Sequence, residues 1–417
     1  MRYILLIADG CADRPVGALG GKTPLESLDL PGCAVLAGGL IGLARTVPIG
    51  VKPGSDTAIL TIFGNDVKAS YTGRAALEAA GANVELKPGE TAFRVNLCTI
   101  EPASDSDADK SFIGSMMISH NGCGIEGSDA LDLIGALTAD AGFAGMMERI
   151  GFVIHPSPTF RQIGVLNGAD ETPFDLAEPH GILGLPIAEH LPKGNRADDL
   201  AKLMVESHRV LRAHPINISR GSRAANCIWP WAAGRAMSLP NFEQLHQHYG
   251  AVVTAVPLLK GIARMHGLFA PEVPGATGDI NTNYEGKLNA MLENFREGAD
   301  FAVLHVEAPD ECSHAKDVEG KLESLRRFDR LIVQPMLNAM PAIDPEFRVL
   351  LLSDHLTLLE NGAHDGAPVP FAIYDSRKPG EPERFCEENA RQGCFVADGS
   401  KLIELLFERD FGKNILQ

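Results

Sequence analysis

Three segments of the chain share one pattern, an apolar run of strand type that ends directly in acidic residues. They are "YILLIADG" (3–10), "FAVLHVEAPDE" (301–311) and "FRVLLLSDH" (347–355). Near-continuous apolar strands indicate burial on both faces, as in a parallel sheet covered by helices. Ligands of such sheets bind beyond the carboxyl ends of the strands, so we expect the three acidic loops to converge at one edge.

Helical periodicity separates the second and third of these strands. In "GKLESLRRFDRLIVQPML" (320–337) apolar residues recur at positions 322, 325, 328, 331 and 332, which predicts an amphipathic helix. The succession of strand, helix and strand is typical of a doubly wound α/β fold.

The middle of the chain follows a different pattern. It is rich in Gly and Pro, with short strand-like pieces at 92–100 and 161–168 and helical stretches at 129–141 and 196–213. This mixture predicts an α+β domain inserted into the α/β core. We therefore expect a discontinuous core domain and an inserted domain, with the boundaries 1–75 plus 250–417 for the core and 76–249 for the insertion.

Length, charge and cysteine content narrow the class of protein. A chain of 417 residues suits two domains, and no apolar run approaches the roughly 20 residues of a membrane span. The net charge of -17, without a basic block, argues against nucleic acid and against an anionic membrane surface as partners. Eight cysteines without a C-x-x-C pair indicate reduced thiols, and thus a cytoplasmic protein.

Six potential metal ligands lie in the loops that follow the three strands. Each one alone is interpreted most simply as a capping or solvated loop residue. Together, carboxylates and imidazoles on converging loops favour a site for Mn²⁺, Zn²⁺ or Fe over one for Ca²⁺, which prefers oxygen ligands. The six are Asp9, Asp310, His314, Asp354, His355 and His364.

A serine provides a candidate nucleophile. The loop "GVKPGSDTAILTIFG" (50–64) places Ser55 just before a possible helical run, where free N–H groups give positive potential. Taken alone, Ser55 is an N-cap. Beside a dimetal centre its hydroxyl would be activated without a histidine base. The sequence contains no G-x-S-x-G elbow, which disfavours a serine-hydrolase triad.

Several cations follow loop motifs, namely Arg14, Arg74, Lys260 and Arg264. Their ordinary interpretation is that of surface charges. An anionic substrate would nevertheless need some of them, since Arg holds phosphate and carboxylate groups in bidentate fashion.

Several of these motifs occur in the order found in one known family. They include "LIADGCADRP", "VKPGSDTAIL", "LLKGIARMHGL", "VPGATGDINTNYEGK", "HVEAPDECSH" and "SDHLTLLENGAHDGAPVPFAIYD". Over nearly the whole chain, the sequence resembles the archaeal-type cofactor-independent phosphoglycerate mutases of the alkaline phosphatase superfamily. The resemblance implies an alkaline-phosphatase-like, doubly wound and mostly parallel sheet core interrupted by a substrate-handling lid domain.

The resemblance also implies roles for individual residues. It implies two divalent cations, with Mn²⁺ the first choice and Zn²⁺, Co²⁺ or Mg²⁺ as alternatives. One cation would be held by Asp310, His314 and His364, and the other by Asp9, Ser55, Asp354 and His355. Ser55 would be the phosphoserine nucleophile, Lys260 would touch the serine and the transferred phosphoryl group, and Arg161, like Arg14, would bind substrate.

The function implied is the glycolytic interconversion of 3-phosphoglycerate and 2-phosphoglycerate, small phosphorylated carboxylates. The segment "TGRAALEAA" (72–80) is also similar to a bacterial branch proposed to contain homoserine kinases. A homoserine kinase-like phosphotransferase, or a phosphohydrolase on the same core, is therefore the alternative. A catalytically silent binding protein is disfavoured, because the ligand set and Ser55 are complete.

Overall fold

The chain divides into two compact units in a computed structural model that describes residues 1–101, 108–168, 174–194 and 196–408. The first unit is discontinuous and consists of Met1–Tyr71 and Ser238–Gln417. The second is the continuous segment Thr72–Met237.

The strands, in chain order, are β1 (Arg2–Ala8), β2 (Leu40–Ala44), β3 (Glu90–Glu101), β4 (Met116–Ser119), β5 (Phe152–His155), β6 (Arg161–Asn167), β7 (Cys227–Arg235), β8 (Gly250–Val253), β9 (Phe301–Val306), β10 (Phe347–Leu352), β11 (Leu356–Thr357), β12 (His364–Asp365), β13 (Val369–Asp375) and β14 (Cys394–Val396). The α-helices are α1 (Pro24–Ser27), α2 (Pro31–Ala37), α3 (Ser55–Ile62), α4 (Val67–Ser70), α5 (Arg74–Gly81), α6 (Ala108–Ile113), α7 (Gly127–Ala139), α8 (Ala141–Ile150), α9 (Ala197–Leu211), α10 (Pro215–Arg220), α11 (Phe242–His246), α12 (Pro257–Met265), α13 (Tyr284–Arg296), α14 (Ala308–His314), α15 (Val318–Phe328), α16 (Gln334–Ile343), α17 (Glu387–Gln392) and α18 (Leu402–Phe407).

The first unit is built on a seven-stranded sheet in the order β14-β2-β13-β10-β1-β9-β8. Strand β1 lies between β10 and β9 and runs parallel to both, with Leu5 opposite Leu350 on one side and Val303 on the other. Only β13 runs antiparallel to its neighbours. Strands β9 and β10 are buried along their whole length, because their apolar side chains pack on both faces of the sheet. The three acidic loops consequently leave the same edge, as the sequence predicted.

The helical segment after β9 differs in detail from the predicted helix at 320–337. Helix α15 ends at Phe328, a π-helical turn spans Asp329–Val333, and α16 continues to Ile343. Pro335 has no N–H to donate to the preceding turn, so the hydrogen-bond register widens at this point. The amphipathic face predicted from the sequence still packs into the core of the first unit, with Leu322, Leu325 and Phe328 buried.

The second unit contains an antiparallel sheet in the order β4-β3-β6-β5, and β7 pairs with β3 as well. Strand β3 is the longest and runs through the centre of this sheet, since β6 and β7 flank it over most of its length. One face of the sheet is covered by helices α7, α8 and α9, whose apolar side chains form a core with Phe93 and Val95. Helix α5 packs on the opposite face, where Ala75 and Ala79 lie in one cluster with Ala92. An antiparallel sheet covered by helices in this way makes the unit an α+β fold.

No single helix among the described residues has the length and apolar composition needed to cross a membrane. Helices α7 and α8 pass that test only as a pair, and the chain bends by 76° between them.

Candidate active site

The carboxyl ends of β1 and β10 bring together the first group of candidate ligands. Asp9 follows β1 directly, and Asp354 and His355 follow β10, the parallel neighbour of β1. The Nε2 atom of His355 lies 3.3 Å from Oδ2 of Asp354 and 3.7 Å from Oδ1 of Asp9. All three side chains are buried and could share one cation.

The second group lies on α14, which follows β9, and on the short strand β12. Asp310 and His314 occupy one face of α14, with Oδ2 of Asp310 3.0 Å from Nε2 of His314. Nε2 of His364 lies 3.3 Å from Oδ1 of Asp310 and 3.0 Å from Nε2 of His314. Asp310, His355 and His364 also form a compact set of possible ligands, so His355 lies between the two groups.

Burial and close neighbours shift the pKa values of several side chains in the two groups. Burial, together with the negative charges of Asp354 and Asp310, raises the pKa of Asp9 well above its ordinary value. Burial would also raise the pKa of Asp310, but hydrogen bonds from His314 and His364 lower it well below the ordinary value. The hydrogen bond to Asp310 raises the pKa of His314 to about 9.

Two buried oxygen atoms in the first group have no hydrogen-bond partner among the described residues, Oδ1 of Asp9 and Oδ2 of Asp354. Buried carboxylate oxygens without a donor are costly unless a cation compensates them. Since oxygen and imidazole ligands converge at this point, the residues present fit a divalent metal ion.

Ser55 lies beside the first group. It is the first residue of α3, with Gly54 in the N-cap position, and its Oγ is 3.2 Å from Nε2 of His355. The same Oγ is 3.4 Å from Oδ2 of Asp9. The structure thus places the predicted serine in contact with two of the predicted ligands and at a helix N-terminus, where the free N–H groups favour an anion.

Neighbouring groups fix the orientation of two imidazole rings. Nδ1 of His314 donates to the carbonyl of Gly362 at 2.7 Å, which leaves Nε2 for a cation. The hydroxyl of Thr357 donates to Oδ1 of Asp310 at 2.5 Å and lies 3.2 Å from Nδ1 of His355. Because that hydroxyl has only one hydrogen, Nδ1 of His355 is the donor to Thr357, and Nε2 again faces the site.

The predicted cations of the first unit have different surroundings. Arg14 forms an ion pair with Asp365, the residue after His364, and is largely exposed. Lys260 and Arg264 lie one turn apart on α12, and Nζ of Lys260 is 2.6 Å from a carboxylate oxygen of Glu272. In this structure Lys260 is therefore paired with an acid, whereas the resemblance implies a role beside the serine.

Arg74 and Arg161 belong to the second unit, where they surround Glu78 together with Arg94. Glu78 pairs with Arg74 at 2.9 Å and with Arg94 at 3.1 Å. Burial raises the pKa of Glu78, but the charges of Arg94, Arg74 and Arg161 lower it below its ordinary value. Arg94 also lies over the ring of Trp231, at 4.2 Å from the centroid. Three guanidinium groups thus lie together in the second unit, and guanidinium groups are the side chains that bind phosphate and carboxylate in bidentate fashion.

Two residues near the ligands were not predicted from the sequence. His305 donates towards Oδ2 of Asp9 at 2.9 Å, and Thr357 bridges the two ligand groups as described above. A signal for His305 was present, since it interrupts the apolar run "FAVLHV" in a strand that leads to ligands. Thr357 carries no comparable signal, because it lies in the mixed segment "LTLL".

Buried acids and imidazoles next to a serine, at the carboxyl edge of a mostly parallel sheet, are typical of metal-dependent phosphoryl-transfer enzymes. The family model described as 2,3-bisphosphoglycerate-independent phosphoglycerate mutase matches residues 37–217. A Geobacter sulfurreducens protein named as a probable enzyme of this kind is 39% identical over 98% of this chain and 100% of its own length. The chain belongs to the 2,3-bisphosphoglycerate-independent phosphoglycerate mutase family.

Solved structures agree with this fold. A protein from Pyrococcus horikoshii superposes with a TM-score of 0.76 at 27% identity, and the match covers 99% of both chains. The cofactor-independent phosphoglycerate mutase from Thermoplasma acidophilum gives a TM-score of 0.61 at 22% identity, over 97% of this chain and 99% of that one. The predicted family and the predicted mostly parallel α/β core with an inserted unit are confirmed, as is the prediction of an enzyme. The roles of individual site residues remain predictions.

Proposed function

We propose that the protein interconverts 3-phosphoglycerate and 2-phosphoglycerate without 2,3-bisphosphoglycerate, using Ser55 as the phosphoryl acceptor. Membership of the mutase family supports the reaction. The observation that carries the role of the serine is its position, with Oγ 3.2 Å from His355 and 3.4 Å from Asp9.

The family and the clustered ligands imply divalent metal ions. We propose Mn²⁺, with Zn²⁺, Co²⁺ and Mg²⁺ as alternatives, because the ligands combine carboxylate oxygen with imidazole nitrogen. When bound, such ions neutralise phosphate charge and favour the ionised form of a serine hydroxyl. In this proposal Asp310, His314 and His364 hold one ion, and Asp9, Ser55, Asp354 and His355 hold the other.

The chemical steps follow from the position of Ser55. Its oxygen attacks the phosphorus of 3-phosphoglycerate, the bond from phosphorus to O3 of glycerate breaks, and that oxygen takes up a proton. The glycerate then presents its 2-hydroxyl, which loses a proton as it attacks the phosphoserine, and the serine oxygen is released. The N-terminal N–H groups of α3 stabilise the phosphoryl oxygens throughout.

Substrate binding is part of the same proposal. We assign Arg74 and Arg161 to the anionic substrate, supported by the cluster that they form with Arg94 around Glu78. Arg14 and Lys260 are assigned to the phosphorylated substrate by the resemblance, and Lys260 would have to leave Glu272 to reach it. Arg264 is assigned to the same substrate because it is a cation one turn from Lys260 on α12. The resemblance likewise assigns substrate handling and the exclusion of water to the inserted domain at 76–249, and a glycolytic enzyme places the protein in the cytoplasm.

The test is an enolase-coupled assay on Mn²⁺-loaded protein with 3-phosphoglycerate and no 2,3-bisphosphoglycerate. We expect turnover by the wild-type protein and a loss of at least about a thousandfold in Ser55→Ala, because no other nucleophile replaces the missing hydroxyl. Thr61→Val is the matched control. It removes a hydroxyl from the same helix, where Thr61 donates only to the carbonyl of Thr57, and should retain activity.

Two further substrates separate the alternatives. If ATP and homoserine gave product while 3-phosphoglycerate did not, the protein would be a homoserine kinase-like phosphotransferase. Release of inorganic phosphate from 3-phosphoglycerate, without 2-phosphoglycerate, would identify a phosphohydrolase. Substantial activity of Ser55→Ala would refute the role of the serine in any of these reactions.

A further inference from the structure

The imidazole of His305, in the interior of β9, lies between the proposed metal ligand Asp9 and the hydroxyl of Thr254. It is fully buried, with Nε2 2.9 Å from Oδ2 of Asp9 and Nδ1 3.1 Å from Oγ1 of Thr254. The parallel register of β1 and β9 creates this contact, because it places Ile7 and Ala8 beside His305 and Val306 and so brings Asp9 to the histidine.

The hydrogen bonds determine which nitrogen of His305 carries the proton. The N–H of Val256 donates to Oγ1 of Thr254 at 3.0 Å, and the hydroxyl of Thr254 is then available to donate to Nδ1 of His305. Nε2 therefore carries the hydrogen and donates it to Asp9. The opposite tautomer would direct a lone pair at the carboxylate and leave the threonine hydrogen without an acceptor among the described residues.

This contact leaves Asp9 with one occupied and one free oxygen. Oδ2 accepts from His305, whereas Oδ1 is buried without a hydrogen-bond partner in the described part of the chain. Asp354 is arranged in the same way, since its Oδ1 accepts from the N–H of Gly10 at 3.1 Å and its Oδ2 is free. The two free oxygens lie 3.7 Å and 3.3 Å from Nε2 of His355, so three ligand atoms point to one place.

We propose that His305, oriented by Thr254, is a positioning residue that presents Oδ1 of Asp9 to the cation shared with Asp354 and His355. His305 is not itself a ligand, because Thr254 and Asp9 occupy both of its nitrogens. This inference rests on the proposed function, because it requires a divalent cation at this site. It does not depend on which substrate the enzyme uses. A buried histidine that only fills the core would have the same contacts but no influence on cation affinity.

The test is calorimetric titration of cation-free protein with Mn²⁺, for which His305→Leu removes the donor and His305→Gln retains an N–H at a similar reach. We expect His305→Leu to weaken one of the two binding events by roughly ten- to a hundredfold, with the other unchanged. His305→Gln should recover most of the lost affinity. His266→Leu is the matched control, because His266 is equally buried in the same unit but bonds to Pro240 and Asn65.

Each outcome decides between positioning and packing. Wild-type affinity at both sites in folded His305→Leu would overturn the proposal, as would His305→Gln binding no better than His305→Leu. If His305→Leu does not fold, Thr254→Val provides the test, and we expect at least a threefold loss at one site. Wild-type affinity in Thr254→Val would then overturn the proposal. If the wild-type protein binds no divalent cation, both this proposal and the metal site in the proposed function are refuted. If it binds cations but shows no mutase activity, only the proposed reaction is refuted.

Discussion

A single hydroxyl, that of Thr357, connects the two groups of ligands. It donates to Oδ1 of Asp310 and accepts from Nδ1 of His355. In the proposed assignment, Asp310 holds one metal ion and His355 holds the other. A side chain that holds a carboxylate and an imidazole at once sets the distance between the two sites as well as the orientation of each ligand. Thr357 is fully buried, so water cannot replace it easily.

We predict that Thr357→Val weakens Mn²⁺ binding and lowers turnover by about tenfold or more, with a much smaller effect on unfolding. Valine has nearly the same shape but removes the hydroxyl contact at Nδ1 of His355 and one of the donors to Asp310. Calorimetric titration and the enolase-coupled assay measure both effects. Thr357→Ser keeps the hydroxyl and should behave like the wild type. Equal Mn²⁺ affinity and turnover in the valine and serine variants would contradict the role given to the Thr357 hydroxyl.

At the scale of residues, the sequence predicted the ligands but not the groups that orient them. Asp9, Asp354 and His355 could be predicted because acidic residues directly after buried strands are a local pattern. His305 and Thr357 act through contacts between strands, and those contacts depend on the register of β1 with β9 and on the loop after β10. One sequence without a structure does not define that register.

At the scale of elements, a buried ion pair joins β10 to β13. Arg348 and Asp375 are cross-strand neighbours, and the guanidinium of Arg348 donates to Oδ2 of Asp375 at 2.8 Å. Arg348 also donates to the carbonyl of Leu406 in α18, at 2.9 Å. The side chain of Arg348 is completely buried, so these acceptors provide the hydrogen bonds that water would make to an exposed guanidinium.

We predict that Arg348→Met lowers the free energy of unfolding by roughly 3–5 kcal/mol, because it leaves a buried carboxylate with less compensation and removes the donor to the carbonyl of Leu406. Urea unfolding followed by circular dichroism measures the change. Arg377→Met is the control, since Arg377 donates to the same carboxylate from a partly exposed position. Its loss should cost about 1 kcal/mol or less. Similar losses of unfolding free energy in both variants would show that the burial of Arg348 does not determine its contribution to stability.

The elements themselves were largely predictable. Strands β1, β9 and β10 follow from apolar runs, and the helical character of 320–337 follows from its periodicity. The π-helical turn at Asp329–Val333 was not predicted, because the apolar positions of an α-helix and of a helix with one widened turn differ by a single residue. The antiparallel direction of β13 was also not predicted, since the direction of a strand depends on its neighbours and not on its own composition.

At the scale of the whole molecule, several buried histidines make the fold sensitive to acid. Burial lowers the pKa of His208 and lowers that of His266 to about 4. His266 remains neutral in the folded state, with Nδ1 2.7 Å from the carbonyl of Pro240 and Nε2 3.0 Å from the amide nitrogen of Asn65. Between pH 6.5 and 4 the unfolded chain therefore binds more protons than the folded one, and stability falls as the pH falls.

We predict that His266 alone accounts for a loss of up to about 3 kcal/mol as the pH falls to 4, and that most of this loss occurs below pH 6.5. The measurement is urea unfolding at a series of pH values for the wild type and for His266→Gln, which cannot titrate. The glutamine variant is expected to lose less stability over this interval, whatever its stability at neutral pH. Parallel pH curves for the two proteins would exclude this explanation.

The position of β1 has a consequence for synthesis on the ribosome. Strand β1 is synthesised long before its two neighbours, which begin only at Phe301 and Phe347. The continuous unit Thr72–Met237 is complete long before then and can fold while the earlier strand has no partner. An apolar strand that waits in this way exposes both of its pairing edges in the nascent chain until translation has passed Leu352, the end of β10.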